Sequence, residues 1–510
     1  MRRGVGTLLL IGAAIPALSA LGSAPAGAET LREAMIVAYG NNPDLAAARA
    51  TQRATDETVP IARAQGLPSL QGSVVYTHTI EKLAYGTYDF YPRDTFQANT
   101  SLNVPLYMGG GVRSAVDAAK TRVSQGQASL RGTETNVFSQ VVTAYLDVTL
   151  NIAIVALNRQ NVQVLETNLK ATSDRFEIGD VTRTDVAQSN SRLAVGRATL
   201  RTAESNLIGA RERYVQAVGH APADLETPPP LAGLPHTPDD AVEIALDANP
   251  DLAAARLATK AAGYDVKTAD ASRLPKIAAT GSTAYTNYLN TLPAQAIYLG
   301  TLPHTGTAQV GLQATIPLYQ GGLPSAQIRQ AQANAGAADN HEISVEREVI
   351  ATVRADFAAY QAANDAIALN QTAVDAAALG LQGVRAENTV GNRTILDILN
   401  AEQELVNAQV NLVTARRNAY VAGFNLLAAM GRAQSKDLAL DADLGAALYD
   451  PQVHYEHDAR DANDWHRDPA PKADATPTDA VPAQDAALPA GSLAQPLTQP
   501  KDPAKTPALP

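Results

Sequence analysis

The chain contains no cysteine in 510 residues. That excludes disulfide staples, cysteine-ligated zinc and a lipid on an N-terminal cysteine. Positive charge is also short. Forty Lys and Arg stand against 51 Asp and Glu, for a net charge of −11, and the basic residues do not cluster. A nucleic-acid partner is thereby excluded as a class. Catalytic motifs are missing too. "HEISVE" at 341–346 lacks the second histidine of H-E-x-x-H, and no G-x-S-x-G occurs. "GGG" at 109–111 has no G-K-[ST] after it, so it signals a turn rather than a phosphate cradle. The eight histidines form no ligand cluster in the sequence; three fall at 454–466, where solvated surface is the expected setting. No catalytic residue, metal site or cofactor is expected, and no enzymatic role.

Proline is absent from Gly111 to Ala221 and again from Ser325 to Asp450. Proline-free runs of that length, rich in Ala, Gln, Asn and Leu, favour long helices. Each run breaks once, at Gly179 and at Gly391. After the breaks a seven-residue period persists: Val186, Leu193, Leu200, Leu207 and Tyr214, then Ile398, Leu405, Leu412, Ala419 and Leu426. Such a period imposes coiled-coil packing.

The ends differ from the middle. Arg2 and Arg3, an apolar run and Ala26-Gly27-Ala28 have the layout of a secretory signal peptide over residues 1–28. No other stretch has the roughly 18 consecutive apolar residues of a spanning helix. From Pro451 onward the composition turns to Pro, Ala and Asp, with 11 of the 30 prolines and the single tryptophan, Trp465. Residues 451–510 are expected to be a disordered tail.

Between those ends the chain is written twice. "NPDLAAAR" occurs at 42–49 and again, letter for letter, at 249–256, an offset of 207. "VPLYMGG" at 104–110 returns as "IPLYQGG" at 316–322, at offset 212, as do Gly179 and Asp185 in Gly391 and Asp397. The units are a first repeat over 29–222, a linker over 223–237, a second repeat over 238–432 and an equatorial region over 433–450.

Each repeat opens with a short helix and continues with two segments of alternating character, about 68–80 and 95–107, then about 275–288 and 306–319. Phe96, Ala98, Thr100, Leu102 and Val104 alternate with Gln97, Asn99, Ser101 and Asn103. A period of two makes strands with one apolar and one polar face. Their length suits a bilayer crossing of ~9–11 residues, and tyrosines including Tyr76, Tyr85, Tyr88, Tyr91, Tyr107, Tyr285 and Tyr319 gather near their ends. Four strands cannot close a transmembrane barrel, whose minimum is about eight, so several chains would have to share one. Long helices are expected at 111–178, 183–218, 323–388 and 394–430. The first, at ~1.5 Å per residue, would reach about 100 Å, far beyond the hydrocarbon core.

The duplicated NPDL helix start, the paired "VPLYMGG" and "IPLYQGG", and "VGNRTILDILNAEQELVNAQ" together resemble the TolC-type outer-membrane efflux proteins over about residues 30–440. The resemblance implies an α+β membrane protein: a homotrimer whose 12-stranded β-barrel, four strands per chain, continues into a periplasmic α-helical barrel. It implies an export channel in the outer membrane, embedded in outer-membrane lipid, with most of its mass in the periplasm. It would serve an inner-membrane transporter of RND, ABC or MFS type through a periplasmic adaptor, in drug efflux or type I secretion. The alternative weighed against it is a periplasmic coiled-coil adaptor without a pore.

The helix breaks read "IGDVTRTDV" and "VGNRTILDI". Thr182-x-x-Asp185 and Thr394-x-x-Asp397 have capping-box spacing after a glycine suited to a helix end. Arg393 aligns with Val181 and is not explained by capping. The resemblance implies that Arg393 links to Thr184 and Asp185 and holds the periplasmic tip closed, with Asp397 and Asn400 lining the constriction and Gly179 and Gly391 turning the tip. Asn400 replaces an acid there, so weaker cation selectivity and weaker divalent-cation block are expected than from a double acidic ring. Pro105, Gly109, Gly110, Pro317, Gly321 and Gly322 are expected to swivel the chain from strand to helix.

Overall fold

The computed structural model describes residues 28–81, 91–459 and 462–489. The signal-peptide residues 1–27, Tyr85 and Tyr88, and residues 490–510 of the tail lie outside the described residues.

The first repeat runs α1 (Leu31–Asn41), α2 (Pro43–Asp56), α3 (Thr58–Ala64), β1 (Ser69–His78), β2 (Asp94–Tyr107), α4 (Gly111–Glu177) and α5 (Arg183–Val218). The second runs α6 (Pro238–Ala248), α7 (Pro250–Asp270), β3 (Lys276–Asn287), α8 (Ala294–Tyr298), β4 (His304–Thr315), α9 (Leu323–Thr389) and α10 (Ile395–Ala429). Two short helices follow, α11 (Asp441–Leu444) and α12 (Pro451–Asp458).

The repeated octapeptide is explained by its hydrogen bonds. Asn42 caps α2 by accepting from the backbone N–H of Asp44 and Leu45, and Asn249 does the same for α7 with Asp251 and Leu252. Pro43 and Pro250 take the first helical position, where a missing N–H costs nothing. The amide Nδ2 of Asn42 donates to the Ala217 carbonyl at the end of α5, and that of Asn249 to the Ala429 carbonyl at the end of α10. Arg49 and Arg256 reach back to the carbonyls of Tyr39 and Leu246, ten residues upstream. One octapeptide therefore closes a helix, opens the next and pins both to a long helix, twice.

The strands form one antiparallel sheet in the order β1-β2-β3-β4. Leu70 faces Leu102 in the first hairpin and Ile277 faces Ala314 in the second, the same register under the offsets of 207 and 212. Pairing across the strands sorts the faces. Val74, Ala98 and Tyr285 sit in line, and Leu102 lines up with Gly281 and Val310. On the other face Gln71, Ser101, Ser282 and Gln309 form a polar rung. Apolar side chains on the first face stand open, with Val310 94% and Leu312 76% exposed. Neither β1 nor β4 has a partner on its outer edge among the described residues.

β4 ends at Thr315, short of the expected 319. In the first repeat Pro105 to Tyr107 still pairs with β3, through a register shift, whereas Pro317 to Tyr319 has no neighbouring strand among the described residues. Beyond the strands, Gly109, Gly110, Gly321 and Gly322 all have positive φ, between +61° and +84°, and turn each chain segment into a long helix. A side chain at Gly109 would put its Cβ 2.8 Å from Leu274 Cβ, whereas one at Gly321 meets open space.

The core lies at mid-height. Phe138, Val141, Val142 and Tyr145 of α4, Leu207 and Tyr214 of α5, and Phe424 and Leu426 of α10 bury against Leu31, Ala34, Ala38 and Leu45. α4 is long and apolar enough, by length and composition alone, to cross a membrane. Within that helix Phe138, Val141, Val142, Tyr145, Leu146, Val148 and Val155 are buried in this core. The linker is tied in: Glu29 bridges Leu225 in parallel, and the Tyr145 hydroxyl lies 2.7 Å from the Glu29 carbonyl oxygen and 2.6 Å from that of Glu226.

Residues 451–459 and 462–489 correct the expectation of a disordered tail. α12 is capped by Asp450 and lays Tyr455 and Ala459 on a buried cluster of Val59, Ala62, Ala119 and Val123. Further on, Thr476 bonds Asn41, Arg211 bonds Asp485, and Ala486 and Leu488 pack on the main core. Average composition hides the few apolar and polar anchors that hold the segment.

Asn249→Ala removes both the cap and the tie to Ala429, and a cap alone is worth about 0.5–2 kcal/mol. The expected outcome is a lower thermal midpoint for Asn249→Ala than for Asn249→Ser, which keeps a capping oxygen and loses the tie to Ala429. Differential scanning fluorimetry on detergent-solubilised protein checks it.

Candidate functional site: the helical tip

The two hairpin turns share one backbone design and differ in charge. Gly179 and Gly391 take φ of +81° and +84° and end α4 and α9. The next N–H groups, of Asp180 and Asn392, return to the carbonyls of Arg175 and Glu387. Thr182 and Thr394 then cap α5 and α10 in complete capping boxes with Asp185 and Asp397. Each aspartate accepts from the threonine N–H and hydroxyl, at 2.8–2.9 Å. Those donors hold both carboxyls below the usual carboxylate range, and nearby Arg175 and Arg393 add to the effect.

Arg393 is engaged inside its own turn. Its Nε donates to Glu387 Oε2 at 2.7 Å, and its carbonyl accepts from Asn388 Nδ2. The first turn has the counterpart, Arg175 Nε to Asp180 Oδ2 at 2.6 Å. Arg175 aligns with Glu387 at offset 212, so the turn-spanning ion pair occurs in both repeats with its polarity reversed. Arg393 therefore has a structural twin that residue-by-residue alignment with Val181 conceals. Within one chain the structure does not bring Arg393 to Thr184 or Asp185 among the described residues. The Arg393–Glu387 pair is half exposed on both sides, so it is readily exchanged for another partner.

The hairpins are joined a turn higher. Leu399 buries against Val162, Leu165 and Leu193. Asn400 Oδ1 accepts from Arg192 Nη2 at 2.7 Å, reaching from α10 to α5. Glu402, 5% exposed, accepts from Asn168 on α4 at 2.9 and 3.1 Å and from Arg385 on α9 at 3.0 Å. One buried carboxylate thus fastens three helices. Sequence reasoning missed it. The available signal was an acid at 402, one helical turn after Leu399 and one before Val406, on the stripe that faces the partner hairpin.

Among the described residues no group at this tip has the geometry of a nucleophile with a base, and its carboxylates are taken up by capping and cross-links. The arrangement can fasten hairpins and present acidic groups at the end of a long helical wall.

The description "Outer membrane efflux protein" is that of the family whose profile matches residues 37–220 and 241–432, one match to each repeat. The chain belongs to the outer membrane efflux protein family. It is 35% identical to the outer membrane efflux protein BepC of Brucella suis over 84% of this chain and 90% of that protein. It is 28% identical to the outer membrane protein TolC of Escherichia coli over 84% of this chain and 87% of that protein. Among solved structures it resembles the CmeC outer membrane channel of Campylobacter jejuni with a TM-score of 0.70, at 16% identity, over 84% of this chain and 89% of that one. The fold is that of the family: a sheet that supplies part of a barrel, continuous with long paired helices.

Glu402→Ala leaves Asn168 and Arg385 without their acceptor. A lost hydrogen bond to a buried charged group costs about 1–3 kcal/mol, and half-exposed Arg385 keeps the cost toward the lower end. Hydrogen exchange is expected to speed up in 160–172 and 385–405 in this variant, with the sheet unchanged.

Proposed function

We propose that three copies of this chain close a 12-stranded barrel in the outer membrane and a helical tunnel below it, through which solutes are exported. The observation that carries the reading is the open sheet, apolar on one face and polar on the other, with both edges unpaired among the described residues. In lipid an unpaired strand edge has no water to satisfy its N–H and C=O groups, so the edges must meet edges of further copies. Four strands from each of three copies give twelve, with the Gln71-Ser101-Ser282-Gln309 rung lining the lumen.

The joint between copies repeats the joint inside one copy. Applying the offsets of 212 and 207 to the pair Leu102 and Gly281 puts Ala314 opposite Val74 of the next copy, both on the apolar face. The same operation brings Leu67 of the next copy over Gly321, as Leu274 lies over Gly109. In this reading both glycines are packed in the assembly.

At the tip, Arg393 exchanges Glu387 for Thr184 and Asp185 of the adjoining hairpin and holds the tunnel shut. Asp397 supplies an acidic ring, and Asn400 a neutral one that is also tied to Arg192. Opening breaks the Arg393 links and swings the inner hairpins out. The role is transport rather than catalysis. A periplasmic adaptor and an inner-membrane transporter complete the path. Relatives are named for different cargo, a proteases secretion protein in Dickeya chrysanthemi and a cobalt-zinc-cadmium resistance protein in Cupriavidus metallidurans, so the chemistry of the channel is shared and the cargo is chosen by the transporter.

Planar-bilayer recording tests the pore. Wild-type protein is expected to give small cation-selective steps, Arg393→Ser steps several-fold larger, and Asp397→Asn reduced selectivity for cations. Silence of both wild type and Arg393→Ser would refute the channel, and equal conductance of the two would refute the Arg393 link.

The glycine equivalence has its own test. Gly109→Ala meets Leu274 and a left-handed backbone, which together make it destabilising. If copies repeat the internal joint, Gly321→Ala lowers the thermal midpoint as much. A much smaller loss at Gly321 would mean that nothing packs there.

A further inference from the structure

The histidines of the C-terminal segment do not all face solvent. α12 brings His454 against α2 and α3, where Asp56, Glu57 and Asp458 surround it. His454 Nδ1 lies 3.1 Å from Asp56 Oδ2, and His454 Nε2 lies 3.1 Å from Asp458 Oδ2. One ligand atom each from Glu57, His454 and Asp458 fall within 4.8 Å of one another. The expectation that no histidine joins a ligand cluster is corrected here: Asp56 and Glu57 are about 400 residues from His454 in sequence, and only the docking of α12 unites them.

Both nitrogens of the His454 ring face a carboxylate. A neutral imidazole carries one N–H, so it can donate to only one of them. The other nitrogen then turns a lone pair toward an anion unless a cation lies between. Asp56 is the better fixed of the two carboxylates. Its side chain is 1% exposed, and it also accepts from Gln52 Nε2 at 2.7 Å. An imidazolium would donate to both carboxylates, whereas with Asp56 taking the Nδ1 proton a neutral ring aims its Nε2 lone pair at Asp458. That is the outer-shell arrangement of metal-ligating histidines, a buried carboxylate on one nitrogen and the ion on the other. In tetrahedral zinc sites the metal–ligand bonds of ~2.0–2.2 Å put ligand atoms about 3.3 Å apart, close to the Nε2–Asp458 spacing. The side chains are mostly shielded rather than on open surface: His454 is 20% exposed and Asp458 13%.

The surrounding charge favours a cation. Three carboxylates share the site, and Asp468 adds its field at Glu57. Arg63, which donates to the Ala459 carbonyl, and Arg467 line the same cleft, and the four carboxylates Asp56, Glu57, Asp458 and Asp468 outnumber them. α12 does not depend on the ion for its docking, because Tyr455 and Ala459 pack independently on Val59, Ala62, Ala119 and Val123.

We propose that His454, Asp458 and Glu57 bind a divalent transition metal of the zinc type, with Asp56 orienting the histidine, and that the ion clamps α12 to the first repeat. One imidazole and two carboxylates favour zinc over magnesium, which prefers an all-oxygen, water-rich shell.

Full-length mature protein, purified in detergent and stripped with chelator, provides the test. Titration with zinc chloride, read by calorimetry, is expected to saturate at one ion per chain and to be unaffected by excess magnesium. Copper chloride is expected to quench Trp465, the only tryptophan, with the same stoichiometry. Asp458→Asn and Glu57→Gln abolish saturable binding. Asp56→Asn weakens it about 10–100-fold, the range for an outer-shell partner, while leaving the ligands in place. His341→Ala changes nothing. Protease cleavage within 460–490 reports α12 docking, so a variant that merely undocks the helix is recognised and replaced by Glu57→Gln, which lies on the other side of the contact. Absence of saturable zinc binding in wild type overturns the proposal and assigns the Nε2 contact to a proton. Binding that survives Asp458→Asn and Glu57→Gln, or that is lost equally in His341→Ala, overturns it as well.

Discussion

Everything in this molecule depends on the unpaired backbone at the two edges of its sheet. A strand in lipid cannot leave N–H and C=O groups without partners, because each such group costs several kcal/mol away from water. β1 and β4 offer those groups and have no partner among the described residues of the chain. The second constraint is the period of two, which gives the sheet one face for lipid and one for water. Neither constraint concerns a particular solute, which is consistent with a family whose members carry different names for what they move. The long helices are the consequence on the other side of the membrane: once strands have fixed the ring, α4, α5, α9 and α10 continue it as paired coils.

The duplication builds the molecule from a small set of contacts. The cap at Asn42 and Asn249, the reach-back of Arg49 and Arg256, the hairpin register and the left-handed glycines are the same interactions used twice. Where the repeats differ, the difference has a local reason. The turn-spanning ion pair survives with reversed polarity, so position 393 carries the arginine that position 175 carries in the first repeat. An exposed pair of that kind holds weakly and exchanges easily. Glu402 is the contrasting case. It is buried, fastens three helices, and has no acidic twin at offset 212, where Asn190 stands. The second hairpin thus has its own anchor above an arginine held only by an exposed pair.

Much of the fold is legible in the residues because it rests on periodicities. Period two marks the strands, period seven the second helices, and proline-free stretches the first ones. The limits are set by contacts that sequence order does not reveal. Pro317 to Tyr319 has the pattern of a strand end and no neighbouring strand in the described chain. The partner of Arg393 cannot be found by aligning it with Val181, since the pairing is made by the turn and not by the position. The tail reads as disordered because Tyr455, Ala459, Ala486 and Leu488 are few among prolines and alanines, yet each meets an apolar surface built by residues hundreds of positions away. The surroundings of His454 are hidden for the same reason.

The central claim, that copies of this chain close the sheet by repeating its internal joint, is tested most directly by cysteine cross-linking. The native chain has no cysteine, so the background is clean. Val74→Cys combined with Ala314→Cys puts one thiol on each outer edge, and directly opposed strand residues have Cα atoms about 4.5–5.5 Å apart, within disulfide reach. The account predicts oxidation to covalent species that stop at three chains, and no cross-linking when Gln313→Cys replaces Ala314→Cys, because that side chain points to the other face. No cross-link in the first pair, equal cross-linking in both, or a ladder running past three chains would contradict it.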